Sequence, residues 1–202
     1  MLEKARRLDG LHTVCTDALS FSRRLDVPPY DVALLKEVVH HIGSADVARL
    51  YAGVYRQLAP GGVALTVTRP RVLAPDFPLF DACRPVWRDN QDDVETYASA
   101  MRDAGFERLN VHSSVYEFRV LKAKWLDMIR SRFWSTLAAA HFSDDELAEG
   151  VNELERRFAG EDEVVVRDQL IFLVGRKAPD GRFVYPACSE TNLDADRASI
   201  RW

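Results

Sequence analysis

Tyr30-Asp31-Val32-Ala33-Leu34-Leu35-Lys36-Glu37-Val38-Val39-His40-His41-Ile42 is the stretch on which the fold turns. Behind Pro28-Pro29, the run from Tyr30 to Leu35 is nearly all apolar. A strand with one wet face alternates apolar and polar residues, whereas a strand buried on both faces, as in a parallel sheet covered by helices, reads as one apolar run. The stretch therefore predicts a buried parallel strand. The polar residues that follow it fall at the carboxyl edge of the sheet, where open α/β proteins build their sites.

Downstream, Val47, Leu50, Tyr51, Val54 and Leu58 recur at spacings of three and four, which predicts one helix to about Leu58, capped by Ser44 or Asp46. Pro60-Gly61-Gly62 predicts a tight turn, and the β-branched run Val63 to Thr68 a second buried strand closed by Arg69-Pro70. Pro70, Pro75, Pro78 and Pro85 make residues 71–91 a loop with room for one short helical turn. Asp92 and Glu95 have capping-box spacing and open a helix that runs to Ala104 and stops at Gly105. Phe106 to Val120 reads as a long strand.

Residues 122–140 read as a single helix with Trp125, Met128, Ile129, Phe133 and Leu137 on one side. Ser143 and Glu146 form a second capping box, whose helix runs to about Phe158, and residues 163–176 form a last strand. At the other end, Met1 to Leu8 reads as the tail of a helix and His12 to Cys15 as a short strand ending in Thr16-Asp17-Ala18. Residues 178–202 lose the periodicity and read as an irregular tail with Phe183, Tyr185 and Trp202 as its anchors. Strands alternating with helices predict an α/β fold: a Rossmann-like three-layer sandwich on a mostly parallel sheet with an antiparallel last strand. One domain then covers residues 1–177. The helical segments at about 121–160 form an insertion, which lies over the carboxyl edge of the sheet if it lids a site.

Composition narrows the function. The 202 residues carry a net charge of −4, with 47% hydrophobic and 29% charged residues, the balance of a soluble globular domain. Arginines are scattered and make no basic stripe, which argues for a small-molecule or protein partner over nucleic acid. Cys15, Cys83 and Cys188 form no CxxC pair, and no His, Cys, Asp and Glu set has metal spacing, so no metal site is expected. Cysteine usage fits a reducing cytosol, which makes cytoplasmic the expected location. No apolar run approaches the ~20 residues of a membrane span, and the charged start is not a secretory signal.

Two segments resemble the class I S-adenosylmethionine-dependent methyltransferases. Tyr30 to Ile42 is similar to that family's aromatic-Asp strand followed by a Glu-Val-x-His-His-Ile type segment, and Leu58-Ala59-Pro60-Gly61-Gly62-Val63 is similar to its Leu-x-Pro-Gly-Gly turn about twenty residues on. Met1 to Arg6, Asp17-Ala18 and Gly105-Phe106 add weaker likenesses. The resemblance implies S-adenosylmethionine as cofactor and methyl transfer to a small-molecule acceptor. Asp17 and Ala18 are then expected beside the adenine, and Lys36, Glu37 and Val38 beside the methionine part. It also places the family's first strands and glycine-rich loop before Met1. The ten glycines here form no GxGxG cluster. The expectations are therefore a longer native protein, truncated here, or a chain that has lost cofactor binding and acts as a non-catalytic binding or regulatory protein. An incomplete sheet also predicts self-association. An NAD(P) or nucleotide-sugar Rossmann enzyme would need a glycine fingerprint that is equally absent.

Each candidate residue has a structural alternative. Asp17 is an adenine acceptor or an Asx turn. His40 and His41, expected to point to opposite sides of a strand end, supply at most one pocket imidazole or a helix cap. Lys36 and Glu37 line the pocket or pair at the surface. Arg69, closing the second strand, receives an anionic substrate or stays solvated, and Arg130 and Arg132 on the insertion follow the same choice. Trp125, Phe133 and Trp134 read as core before they read as a stacking box.

Overall fold

The computed structural model describes residues 2–180; the tail anchors Phe183, Tyr185 and Trp202 lie outside the described residues. Four strands, β1 Tyr30–Lys36, β2 Leu58–Thr68, β3 Glu107–Leu121 and β4 Glu163–Arg176, form one sheet in the order β1-β2-β4-β3. β1 and β2 pair in parallel, and β4 runs antiparallel to both of its neighbours. Three strands thus share a direction and the last is reversed. The helices are α1 Leu2–Ala5, α2 Ala18–Ser22, α3 Ser44–Gln57, α4 Cys83–Asp89, α5 Val94–Asp103, α6 Lys122–Arg130 and α7 Asp144–Arg157.

The apolar stripe of α3 buries Val47, Leu50, Tyr51 and Val54, and with Tyr97 and Met101 of α5 it packs on Leu35, Ala64 and Leu173 of the sheet. Inside that layer the Tyr51 hydroxyl meets Thr66 at 2.8 Å, so neither buried oxygen is left unpaired. The irregular start of β2, where its register with β1 shifts in place of the expected tight turn, needs its glycines. Gly61 has φ 75°, and a Cβ on Gly62 would lie 2.9 Å from the Ala59 carbonyl oxygen and 3.1 Å from that of Asp31. On the opposite face Val32 and Leu34 stand 61% and 60% exposed. Among the described residues, helices therefore cover one face of β1 and leave the other in water.

The β3–β4 ribbon outruns the sheet. Ser113 and Thr68 both align with Ile171, so Ser114 to Leu121 continue past the end of β2 by roughly 25 Å at ~3.3 Å per residue. This projection carries α6 and α7 over the carboxyl edge. There they enclose a second core with α4 and the loop before it, built on Phe77, Phe80, Trp87, Trp125, Ile129 and Leu154. The indole nitrogen of Trp125 donates to the Pro78 carbonyl at 2.8 Å, which ties the proline-rich loop to the insertion, and that of Trp87 in α4 donates to the Pro70 carbonyl at 3.0 Å.

Several local expectations are corrected. Residues 12–15 form no strand among the described residues. With no neighbouring strand beside them, their backbone groups have no ladder to join. Gly43, not Ser44 or Asp46, is the N-cap of α3, because the Ser44 hydroxyl donates to Asp92 instead. That bond also removes Asp92 from its expected capping box; α5 is preceded by Asp93, with no side-chain cap. The helix expected over 122–140 stops at Arg130. Arg132 turns left-handed at φ 53°, and the amides of Arg132 and Phe133 return to the carbonyls of Ile129 and Met128, a Schellman ending made without glycine. The Ser143–Glu146 capping box forms with both of its bonds.

Gly150 of α7 lies against the ring of Phe80, where a Cβ would come within 2.6 Å of the ring carbons. Gly150→Ala is expected to lower stability by about 1–3 kcal/mol through overpacking, read as a reduced urea midpoint at unchanged m.

Candidate functional site

The carboxyl ends of β1 and β2 carry the chemistry. β1 stops because Glu37 adopts φ 55°, a left-handed backbone that costs a non-glycine residue about 1–2 kcal/mol and is concentrated at functional positions. Its amide still donates to the Val67 carbonyl at 2.9 Å, so the turn stays pinned to β2. Two residues beyond Val67, Arg69 leaves β2 and reaches back.

The Arg69 guanidinium joins three elements. It makes a bidentate pair with Asp168 of β4, Nε to Oδ1 and Nη2 to Oδ2 both at 2.9 Å, while Nη1 donates to Glu37. The Tyr116 hydroxyl of β3 donates to Asp168 at 3.0 Å. Asp168 is only 4% exposed, and these partners supply the hydrogen bonds that water would otherwise make to its oxygens. The guanidinium carbon also sits 5.6 Å from the ring centre of Trp134, within cation–π range. Burial outweighs the nearby positive charge at Glu37 and pushes its carboxyl above the usual range; its Oε1 is buried with no hydrogen-bond partner among the described residues.

His40 and His41 do not continue a strand. They close a 3-10 turn over Val39–His41, and their rings lie 4.0 Å apart, not on opposite sides as a strand end would place them. Burial, followed by the charges of His41 and Arg69, lowers His40 to about 4, so it is neutral at pH 7. Its Nδ1 is buried without a partner among the described residues.

Two concavities flank this cluster. A groove of about 540 Å³ runs along β1 and α2, lined by Thr16, Asp17, Ala18, Phe21, Ala33 and Val38 among others. A cavity of about 370 Å³ lies beneath α6, lined by Arg69, Tyr116, Phe118, Trp125, Trp134 and Asp168 among others. The structure thus brings Asp17, Ala18 and Val38 together in the groove and puts Arg69 in the cavity. Lys36, Glu37, His40 and His41 line neither. Asp17 caps α2, its Oδ1 accepting from the Ser20 amide at 2.7 Å, which realises the Asx-type alternative with one of its two oxygens. Arg130 pairs with Asp127 and Glu155, and Arg132 with Asp144, so both insertion arginines serve the insertion itself.

The groove suits one end of S-adenosylmethionine. Its apolar floor and the Asp17 carboxylate match a flat base with an exocyclic amine. Close-approach glycines do not contribute: Gly53, Gly62, Gly150 and Gly175 each meet protein atoms in packing contacts, and none lines the groove. Among the described residues there is no cluster of His, Cys, Asp and Glu suited to a metal ion, and no helix long and apolar enough to cross a membrane.

Sequence reading missed Asp168, Tyr116 and Lys124, all three of which line the cavity beneath α6. Asp168 had a visible signal, since Arg167-Asp168-Gln169 interrupts an otherwise apolar strand. Tyr116 and Lys124 had none beyond their polarity.

No family profile matches the chain. Phosphoethanolamine N-methyltransferase 3 of Arabidopsis thaliana is 26% identical over 121 residues, which is 57% of this chain and 24% of that protein. A Bacillus halodurans protein, described as a candidate methyltransferase, has 16% identity and a TM-score of 0.50 over 88% of this chain and 76% of its own. The phosphoethanolamine N-methyltransferase 2 of Haemonchus contortus, solved with phosphomonomethylethanolamine and S-adenosylhomocysteine, has 17% identity and a TM-score of 0.43 over 80% of this chain and 36% of its own. The chain therefore spans 24% and 36% of the two phosphoethanolamine methyltransferases. With its strand order, reversed last strand and likeness to the Bacillus halodurans structure, it has the fold of the class I S-adenosylmethionine-dependent methyltransferases, the family that Tyr30–Ile42 and Leu58–Val63 resemble.

Proposed function

We propose that this chain is part of an enzyme that transfers a methyl group from S-adenosylmethionine to a small-molecule acceptor. One observation carries the reading: the Glu37–Arg69–Asp168 cluster separates a groove suited to the adenine end of the cofactor from an aromatic cavity of acceptor size. Bound S-adenosylmethionine supplies an electrophilic methyl on a sulfonium. The chain's own part is orientation and dryness, and holding the reacting partners in line can lower a barrier by about 7–11 kcal/mol. Asp17 and Ala18 receive the cofactor's base, and Val38 lies toward its methionine part. The insertion keeps water from the acceptor.

The competing reading is a non-catalytic binding protein on the same fold, favoured by the absence of glycines from the groove. Calorimetric titration of the folded chain with S-adenosylmethionine and S-adenosylhomocysteine separates the two. The expected result is binding on the order of micromolar, about −8 kcal/mol, lost in Ala18→Phe, which fills the groove. A folded chain that takes up neither ligand sinks the enzymatic reading for this chain.

The bare face of β1 also bears on partners. Val32 and Leu34 forgo about 1.5–3 kcal/mol each by standing in water, and an unpaired strand edge invites another chain. Self-association through this face is the proposed state in solution, with a cytoplasmic location. Light scattering is expected to give a mass above 22.9 kDa that Val32→Lys/Leu34→Lys returns to the monomer value; a monomeric parent chain would end the idea.

A further inference from the structure

We propose that the cavity beneath α6 is a binding site for a small organic anion with a flat apolar body. Its wall is aromatic. Tyr116 and Phe118 stack at 5.7 Å with only 18° between their planes, and both are exposed. Trp134 faces the same space from a packed cluster with Phe133, Trp125, Phe77 and Trp87, which fixes its ring as a rigid surface. A volume of about 370 Å³ lies at the small end of ligand pockets and suits a ring-sized molecule.

Charge decides what kind of molecule. Asp168, the acid that lines the cavity, is fully committed: both oxygens accept from Arg69, and Oδ2 also accepts from Tyr116. No lining carboxylate is left for a cation. Two lining cations are underused. Lys124 has no hydrogen bond or ion pair among the described residues, and Arg119 reaches its carboxylate, Glu163, only at 3.9 Å. By contrast, Arg130, Arg132 and Arg157 of the same insertion each hold a carboxylate at under 3 Å. On a chain of net charge −4 the mouth of this cavity is thus a local positive patch over an aromatic floor. An ammonium would meet like charge there, and a neutral ring would leave the cations without a partner. An anion on a flat ring satisfies both. That this ligand is the methyl acceptor rests on the function proposed above; that the cavity binds an anion does not.

The test is calorimetric titration of the full chain, without cofactor, at fixed salt with benzoate, phenyl phosphate, benzamide and benzylamine. One or both anions are expected to bind at least about tenfold tighter than benzamide, with benzylamine weakest, and the ranking of benzoate against phenyl phosphate tells carboxylate from phosphate. Lys124→Gln, at an exposed position, is expected to weaken anion binding by about tenfold with the near-ultraviolet dichroism unchanged, and Phe118→Ala to weaken acid and amide alike. Equal affinity for benzoate and benzamide, a preference for benzylamine, no binding of either anion, or indifference to Lys124→Gln would each overturn the proposal. Anion binding by a chain that takes up no S-adenosylmethionine would leave this site standing and remove the enzymatic reading, and the converse result would do the opposite.

Discussion

The guanidinium of Arg69 is where four strands are held at one point: it leaves the end of β2, grips Asp168 of β4 with two parallel hydrogen bonds, holds Glu37 at the end of β1, and through Asp168 engages Tyr116 of β3. Taking such charges out of water costs several kcal/mol per ion, and the attraction offsets that cost only when geometry is good and the remaining oxygens are bonded. The bidentate fork meets that requirement at Asp168, whose two oxygens both accept from Arg69 although the residue is only 4% exposed. Glu37 is held less completely. One oxygen accepts from Arg69, the other is buried without a partner among the described residues, and the backbone at that residue is strained. Incomplete satisfaction beside a strained turn is how a site differs from a merely structural ion pair.

The cluster is buried because of what lies above it. The β3–β4 ribbon continues past the end of β2 and carries α6 and α7, whose apolar faces need cover of their own. They find it in α4 and the proline-rich loop, and the resulting second core roofs the carboxyl edge. Excluding water there strengthens every charged contact beneath the roof, since the effective dielectric falls. Trp134 completes the arrangement by closing over Arg69 from the insertion side.

The sheet is supported unevenly. α3 and α5 cover one face, whereas the other face of β1 presents Val32 and Leu34 to solvent beside the groove that holds Asp17 and Ala18. Groove and bare face belong to the same strand. A cofactor or a partner chain seated along β1 would remove apolar surface from water at either place.

Much of the architecture was legible locally. Periodicity set α3, capping-box spacing pointed to α5 and α7, apolar runs marked β1, β2 and β4, and Ser143 with Glu146 announced the start of α7 through groups three residues apart. Where partners lay farther off, local reading failed: Asp92 was expected to cap α5 but serves Ser44, and the strand expected at residues 12–15 lacks a neighbour. The site divides the same way. That residues 36–41 and Arg69 would meet at a sheet edge followed from their place after apolar runs. That Arg69 would be neutralised rather than open, and that Asp168, Tyr116 and Lys124 would share its surroundings, depends on contacts spanning up to 99 residues. By itself, then, the sequence determined the elements and the edge at which chemistry would gather, because hydrogen-bond periodicity and apolar spacing act within a turn or two of chain. Only the tertiary structure decided which charges are paired and which remain available, because Coulomb energy and desolvation depend on distances through space that the order of residues does not contain.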